Sequence, residues 1–120
     1  DNLPEYTVIN EHSMVSDFEK IPAPTRADVE KNFSIRFDDI DINMHVNNSL
    51  YPLWASETLD YSFRDEYVPS EIEISFKKEG HLGEDVNIIS QVDDTQTIHS
   101  IKALSDNREL ASLRINWTKI

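Results

Sequence analysis

Asp41, Asn43 and His45 stand at i, i+2 and i+4 in the densest polar stretch of the chain, Asp39-Ile40-Asp41-Ile42-Asn43-Met44-His45-Val46-Asn47-Asn48. In an extended loop that spacing sends all three side chains to one side. An Asp can hold a histidine in one tautomer, and the histidine can then bind or deprotonate water. An asparagine can orient the same water or polarise a carbonyl. Polar density of this kind is costly to bury and rarely needed for folding alone, so the run reads as a site. A helix is expected directly after it. Its unpaired backbone N–H groups and the positive end of its dipole suit a developing oxyanion. Together these parts favour hydrolysis at a carbonyl without a covalent Ser or Cys nucleophile.

A plainer reading competes. A loop rich in Asp and Asn before a helix supplies caps and turn hydrogen bonds, and Asn48 suits that role. Taken alone, His45 reads as structural or exposed. The three residues lack a second histidine at helical spacing, so a metal site is disfavoured and no cofactor is expected.

Stepping outward, the elements that must hold this loop are legible. Phe33, Ile35 and Phe37 alternate with Ser34 and Arg36, as in a strand with one buried face. Asn47 or Asn48 is the expected N-cap of a helix of some twelve residues running to about Leu59, with Pro52 near its first turn. Leu50, Leu53, Trp54, Leu59 and Tyr61 form the expected apolar stripe, and Trp54 reads as a core anchor. Four strand-like segments follow: Ile72 to Phe76, Val86 and Ile88, Ile98 to Leu104, and Ala111 to Trp117. Turn-forming clusters at Gly80 to Gly83, Asp93-Asp94 and Ser105-Asp106-Asn107 separate them. The order of one strand, one long helix and an antiparallel meander predicts an α+β fold whose sheet of about five strands wraps the helix. One helix covers one face, so the outer face and edges are expected to need a partner, by dimerisation or from a second domain.

Residues 1–30 lack sustained periodicity, and Phe18 to Pro24 is stiffened by Pro22 and Pro24. They are expected to be an arm from an upstream domain, with the folded domain at 31–120. The first residue is Asp1 rather than Met, which suggests a chain that starts inside a longer product.

Composition narrows the function. With 120 residues and 13.9 kDa the chain is one domain with room for a real core. It has no cysteine, which excludes a disulfide framework, a thiolate zinc site and a cysteine nucleophile. No apolar run reaches the roughly 18 residues needed to span a bilayer, and no leader is visible, so a soluble cytoplasmic protein with no membrane partner is expected. The charge balance, 11 − 23 = −12, repels phosphate backbones and disfavours nucleic acid. It also fits an acidic protein partner poorly unless the few cations cluster. Neither of the two glycines lies in a phosphate-cradling motif.

The pattern Asp39-x-Asp41-x-Asn43-x-His45-Val46-Asn47-Asn48-x-x-Tyr51-x-x-Trp54 resembles the signature of the acyl-acyl carrier protein thioesterases of plants and bacteria. The likeness continues as an architecture over residues 30–120. It implies a hotdog fold, a curved antiparallel sheet wrapped round a central helix, and hydrolysis of fatty acyl thioesters of acyl-carrier protein to free acid and carrier thiol. It implies catalytic roles for Asp41, Asn43 and His45, and substrate contacts at the helix start from Val46, Asn47 and Asn48. A further catalytic Glu lies on the strand after the helix in that family. Phe76-Lys77-Lys78-Glu79-Gly80 matches that segment, making it Glu79. Plant members carry a Cys where this chain has Gly80. The route implied here is therefore attack by water assisted by Glu79 and His45, or direct attack by the Asp41 or Glu79 carboxylate. Family members have two hotdogs in one chain, so a second hotdog domain is expected, in a longer chain or by homodimerisation. Lys77, Lys78, Lys102, Arg108, Arg114 and Lys119 are the cations near enough to meet an acidic carrier. Two other readings stand beside this one: an acyl-CoA thioesterase of the 4-hydroxybenzoyl-CoA type, and a non-catalytic hotdog that binds an acyl ligand.

Overall fold

The computed structural model describes residues 5–8, 21–41 and 46–120. Among the described residues, six strands form one antiparallel sheet: β1 (Glu5–Val8), β2 (Val29–Ser34), β3 (Tyr67–Phe76), β4 (Asp85–Asp93), β5 (Gln96–Ala103) and β6 (Glu109–Lys119). Their order is β1-β3-β6-β5-β4-β2. The helices are α1 (Leu50–Glu57) and α2 (Tyr61–Glu66). No helix among the described residues is long and apolar enough to cross a membrane.

The expected meander holds for β4, β5 and β6 and fails for β3. β3 pairs with β6, from Tyr67↔Lys119 to Phe76↔Ala111, and so is separated from β4 by two strands, β6 and β5. Residues 77–84 must therefore pass across the turn that joins β5 to β6. That turn is tight because Asn107 adopts a left-handed φ of 59°, a conformation Asn tolerates better than most residues. Asp94 does the same at the β4–β5 turn, with φ 55°.

The strand expected before the polar loop is β2, and it ends before the residues expected to carry it. Ile35 is buried, while Phe37 is 71% exposed in a short 3₁₀ turn, Phe37–Asp39. Arg36 turns the chain there by offering its backbone N–H and guanidinium to Asp39, so the alternation stops. The Glu5–Val8 strand pairs with β3, from Glu5↔Ser75 to Val8↔Ile72. Thr25 N–H reaches Gln91 Oε1 (2.7 Å), and Ile21 is buried.

The helix is shorter than expected. Thr58 Oγ1 bonds back to the Ala55 carbonyl at 2.7 Å, and Asp60, in extended conformation, starts α2 instead. Besides Ser56, the buried side chains are Tyr51, Trp54, Ala55, Thr58 and Leu59. That is i, i+3, i+4, i+7 and i+8, one face at helical period. Leu53 (57% exposed) and Tyr61 (74%) point outward, against the expected stripe. Trp54 anchors the core as expected, stacked on Phe33 at 6.3 Å and edge-on to Tyr51 at 5.6 Å. Tyr51 in turn meets Phe76 edge-on at 5.6 Å.

A buried polar chain ties the end of α1 to the sheet. Thr58 Oγ1 lies 2.6 Å from Ser90 Oγ, Ser90 Oγ lies 2.6 Å from His99 Nδ1, and His99 Nε2 lies 2.8 Å from Thr97 Oγ1. Trp117 Nε1 donates to Thr97 Oγ1 at 2.9 Å. The opposite face of the sheet is polar rather than apolar: Arg114 forks onto Glu73 (2.9 and 2.8 Å), Asn116 joins Glu71 to Gln96, and Asn87 joins Glu30 to Asn32.

Candidate active site

The polar loop is closed at its neck by backbone bonds. Asn47 N–H donates to the Asp39 carbonyl (2.8 Å), and Ile40 and Val46 form an antiparallel bridge. Asp39 stabilises the entry. Its buried carboxylate accepts the Arg36 backbone N–H (2.8 Å), Nε (3.1 Å) and Nη2 (2.8 Å). The Arg36 guanidinium bonds hold that carboxyl below the usual range against the opposing effect of burial. Asp39 is thus a structural residue of the motif. Asp41, two positions on, is exposed at the start of the loop. Asn43 and His45 lie outside the described residues.

On the exit side, Val46 is buried, and Asn47 and Asn48 are exposed. The helix N-cap is Ser49 rather than either asparagine. Asn47 acts one step earlier: its Oδ1 accepts the Ser49 N–H (3.1 Å) and hydroxyl (2.9 Å), an Asx turn that leads the chain into α1.

Glu79 is half-buried on the connection between β3 and β4, not on a strand, because β3 ends at Phe76. Lys77 N–H bonds the Leu110 carbonyl (2.9 Å), which carries the chain off β3 toward the turn before β6. Val46 N–H donates to the Gly80 carbonyl at 3.4 Å, so the end of the polar loop and the peptide after Glu79 meet. Gly80 is buried in that junction. A Cβ there would lie 3.1 Å from Ile35 Cδ1, 3.1 Å from Val46 Cγ2 and 3.2 Å from Leu110 Cδ1, tighter than ordinary contact. The junction is built around a residue without a side chain.

Tyr51 and Arg108 also converge here. Tyr51 is 1% exposed, and burial pushes its hydroxyl up to about 12, although the Gly80 backbone amide and the nearby Arg108 act in the opposite sense. The phenol is therefore a neutral group beside the Glu79–Gly80 peptide. Tyr51 was visible in the motif. Arg108 pairs with Glu84 (2.7 Å) and Asp106 (2.7 Å), and no local pattern around it could have announced this. Burial pushes the Glu84 carboxyl up, but the Arg108 bonds and the His81 N–H outweigh it, and the net effect is downward. Arg108 and Arg114 are thus committed to internal carboxylates and leave the expected set of docking cations. Lys119 lies 3.7 Å from Glu66.

A family model described as the acyl-ACP thioesterase C-terminal domain matches residues 22–119. The chain belongs to this family. No curated protein matches it. As an acyl-ACP thioesterase C-terminal domain, it is similar in fold to the 12:0-ACP thioesterase from Umbellularia californica, with TM-score 0.74 and 21% identity over 88% of this chain and 40% of that one. An acyl-ACP thioesterase from Bacteroides thetaiotaomicron superposes with TM-score 0.76 and 14% identity, over 91% of this chain and 44% of that one. A 1,4-dihydroxy-2-naphthoyl-CoA thioesterase from Synechocystis gives 0.65 and 13%, over 77% and 81%. The fold is the hotdog. The chain spans less than half the length of the first two structures.

Proposed function

We propose that this domain hydrolyses fatty acyl thioesters of acyl-carrier protein, with Glu79, His45, Asn43 and Asp41 as its working groups. The observation that carries the reading is the Val46–Gly80 bond, since it puts the peptide after Glu79 against the end of the signature loop at the start of α1. Family membership over residues 22–119 supports the substrate class.

In the mechanism, Glu79, assisted by His45, takes the proton of a water whose oxygen attacks the thioester carbonyl carbon, and that proton then passes to the leaving sulfur. Asp41 holds the His45 tautomer, and Asn43 orients the water or polarises the carbonyl. The oxyanion develops at the N-terminal end of α1, against the positive end of the helix dipole. The C–S bond breaks as the sulfur takes up that proton, and the carrier thiol and the free acid leave. With Gly80 at the position of the plant Cys, no thiolate of the protein takes part. A second hotdog domain, in the same protein or from a second copy, completes the unit. The share of the two acyl-ACP thioesterase chains that this chain spans supports that reading.

The test is release of free thiol from a chain-length panel of acyl thioesters on carrier protein and on CoA, with Glu79→Gln and Asp41→Asn alongside. The expected result is faster hydrolysis on carrier protein and a loss of about 100-fold or more in kcat in each variant. Faster hydrolysis on CoA would favour the acyl-CoA reading. Near-wild-type turnover in both variants would sink the residue assignment.

A further inference from the structure

The peptide joining Glu79 to Gly80 is held at both polar ends. Arg108 Nη2 donates to the Glu79 carbonyl at 3.0 Å. The same nitrogen reaches both Glu84 carboxylate oxygens (2.7 and 2.9 Å), and Nη1 reaches Asp106 Oδ2 (2.7 Å). From the core side, the Gly80 amide faces the buried Tyr51 hydroxyl. A trans peptide is planar, so pinning its carbonyl and its N–H fixes ψ at Glu79 and φ at Gly80 together. The next carbonyl, that of Gly80, is taken by Val46.

Arg108 is itself held firmly. Its carbonyl accepts the Ala103 N–H (2.9 Å), and its own N–H donates to Asp106 Oδ1 (3.1 Å). The side chain is 22% exposed. Glu84 also accepts the His81 N–H (2.8 Å), so one carboxylate gathers the end of the 77–84 connection onto one guanidinium. A planar fork of donors can serve a carbonyl and two carboxylates at once, and a lysine ammonium reproduces only part of that.

We propose that Arg108 is a positioning residue: by holding the Glu79 carbonyl against the Glu84 carboxylate, it sets the direction of the Glu79 side chain relative to Val46 and the start of α1. The proposal rests on the reading of Glu79 as a working group.

The test compares Arg108→Gln, Arg108→Lys, Glu84→Gln and Glu79→Gln in the full-length protein, on the thioester cleaved fastest by the wild type. Amide exchange at Gly80, Val46 and His99 is followed by NMR. Arg108→Gln is expected to lower kcat roughly 10- to 100-fold with KM within about threefold, since a small misplacement of a reacting group costs that much. Arg108→Lys should recover part of the loss. Exchange at Gly80 should accelerate about tenfold or more while His99 in the core stays protected. Full kcat in Arg108→Gln beside an inactive Glu79→Gln overturns the positioning role alone. A fully active Glu79→Gln overturns the reading of Glu79 and this proposal with it. If Arg108→Gln does not fold, Glu84→Gln decides: a smaller loss of kcat with faster Gly80 exchange supports the brace, and no change in either overturns it.

Discussion

At the scale of single residues, His99 shows how a buried polar group can be fully specified by its neighbours. Thr58 spends its hydroxyl proton on the Ala55 carbonyl, so the proton between Thr58 and Ser90 must come from Ser90. Ser90 then has none left for His99, and His99 Nδ1 must donate to it, while Nε2 accepts from Thr97. Trp117 Nε1, which can only donate, closes the chain on Thr97. With His99 neutral, every proton in the row has an acceptor. Burial accordingly lowers its pKa from 6.5 to about 3. The sign of the consequence is clear: between these values the unfolded chain binds a proton that the folded chain refuses. Stability is therefore unaffected above about pH 6.5 and falls as pH drops toward about 3. The expected slope from this residue is at most about 1.4 kcal/mol per pH unit. Thermal melts across that window should show a shallower decline in His99→Gln than in the wild type. An identical pH dependence would rule out His99 as the source.

At the scale of elements, the site depends on two connections rather than on strands. The neck of the polar loop is held by the Asp39–Arg36 bonds, the Ile40–Val46 bridge and the Asn47–Asp39 bond. Asp39→Asn keeps the shape and removes the charge that both Arg36 groups address. We expect a loss of about 1.5–3 kcal/mol in urea unfolding, the usual scale for hydrogen bonds to a charged group. We also expect faster amide exchange at Asn47. A variant with unchanged exchange at Asn47 would show that the bridge alone closes the neck. The second connection, 77–84, has no regular structure of its own and takes its shape from the β5–β6 turn through Arg108 and Leu110.

At the scale of the whole molecule, the net charge of −12 is the dominant long-range property. Arg108 and Arg114 are neutralised by internal carboxylates and add little to any positive patch. An acidic carrier therefore meets repulsion on approach. Raising salt shortens the Debye length from about 10 Å at 0.1 M to about 3 Å at 1 M. The expected outcome is that kcat/KM on a carrier-bound thioester rises with salt. A steep fall would mean that a local cluster, with Lys77 and Lys78 the nearest in sequence to Glu79, governs docking instead.

What was legible in the sequence is what depends on residues a few positions apart. Alternation in β3 and β6 located strands, and Asp94 and Asn107 marked turns. Local spacing misled where a nearby contact broke the pattern. Phe37 left its strand because Arg36 and Asp39 bond across three residues, Leu53 sits within α1 but on the side away from Tyr51 and Ala55, and Tyr61 left the helix stripe because Thr58 and Asp60 end α1 early. The tertiary structure alone decided what joins distant residues: β3 beside β6, Arg108 on the Glu79 carbonyl 29 positions away, and Thr58 on Ser90 32 positions away. Such contacts leave no periodic trace, because they depend on where the sheet places each chain segment and on which buried donor must find an acceptor there.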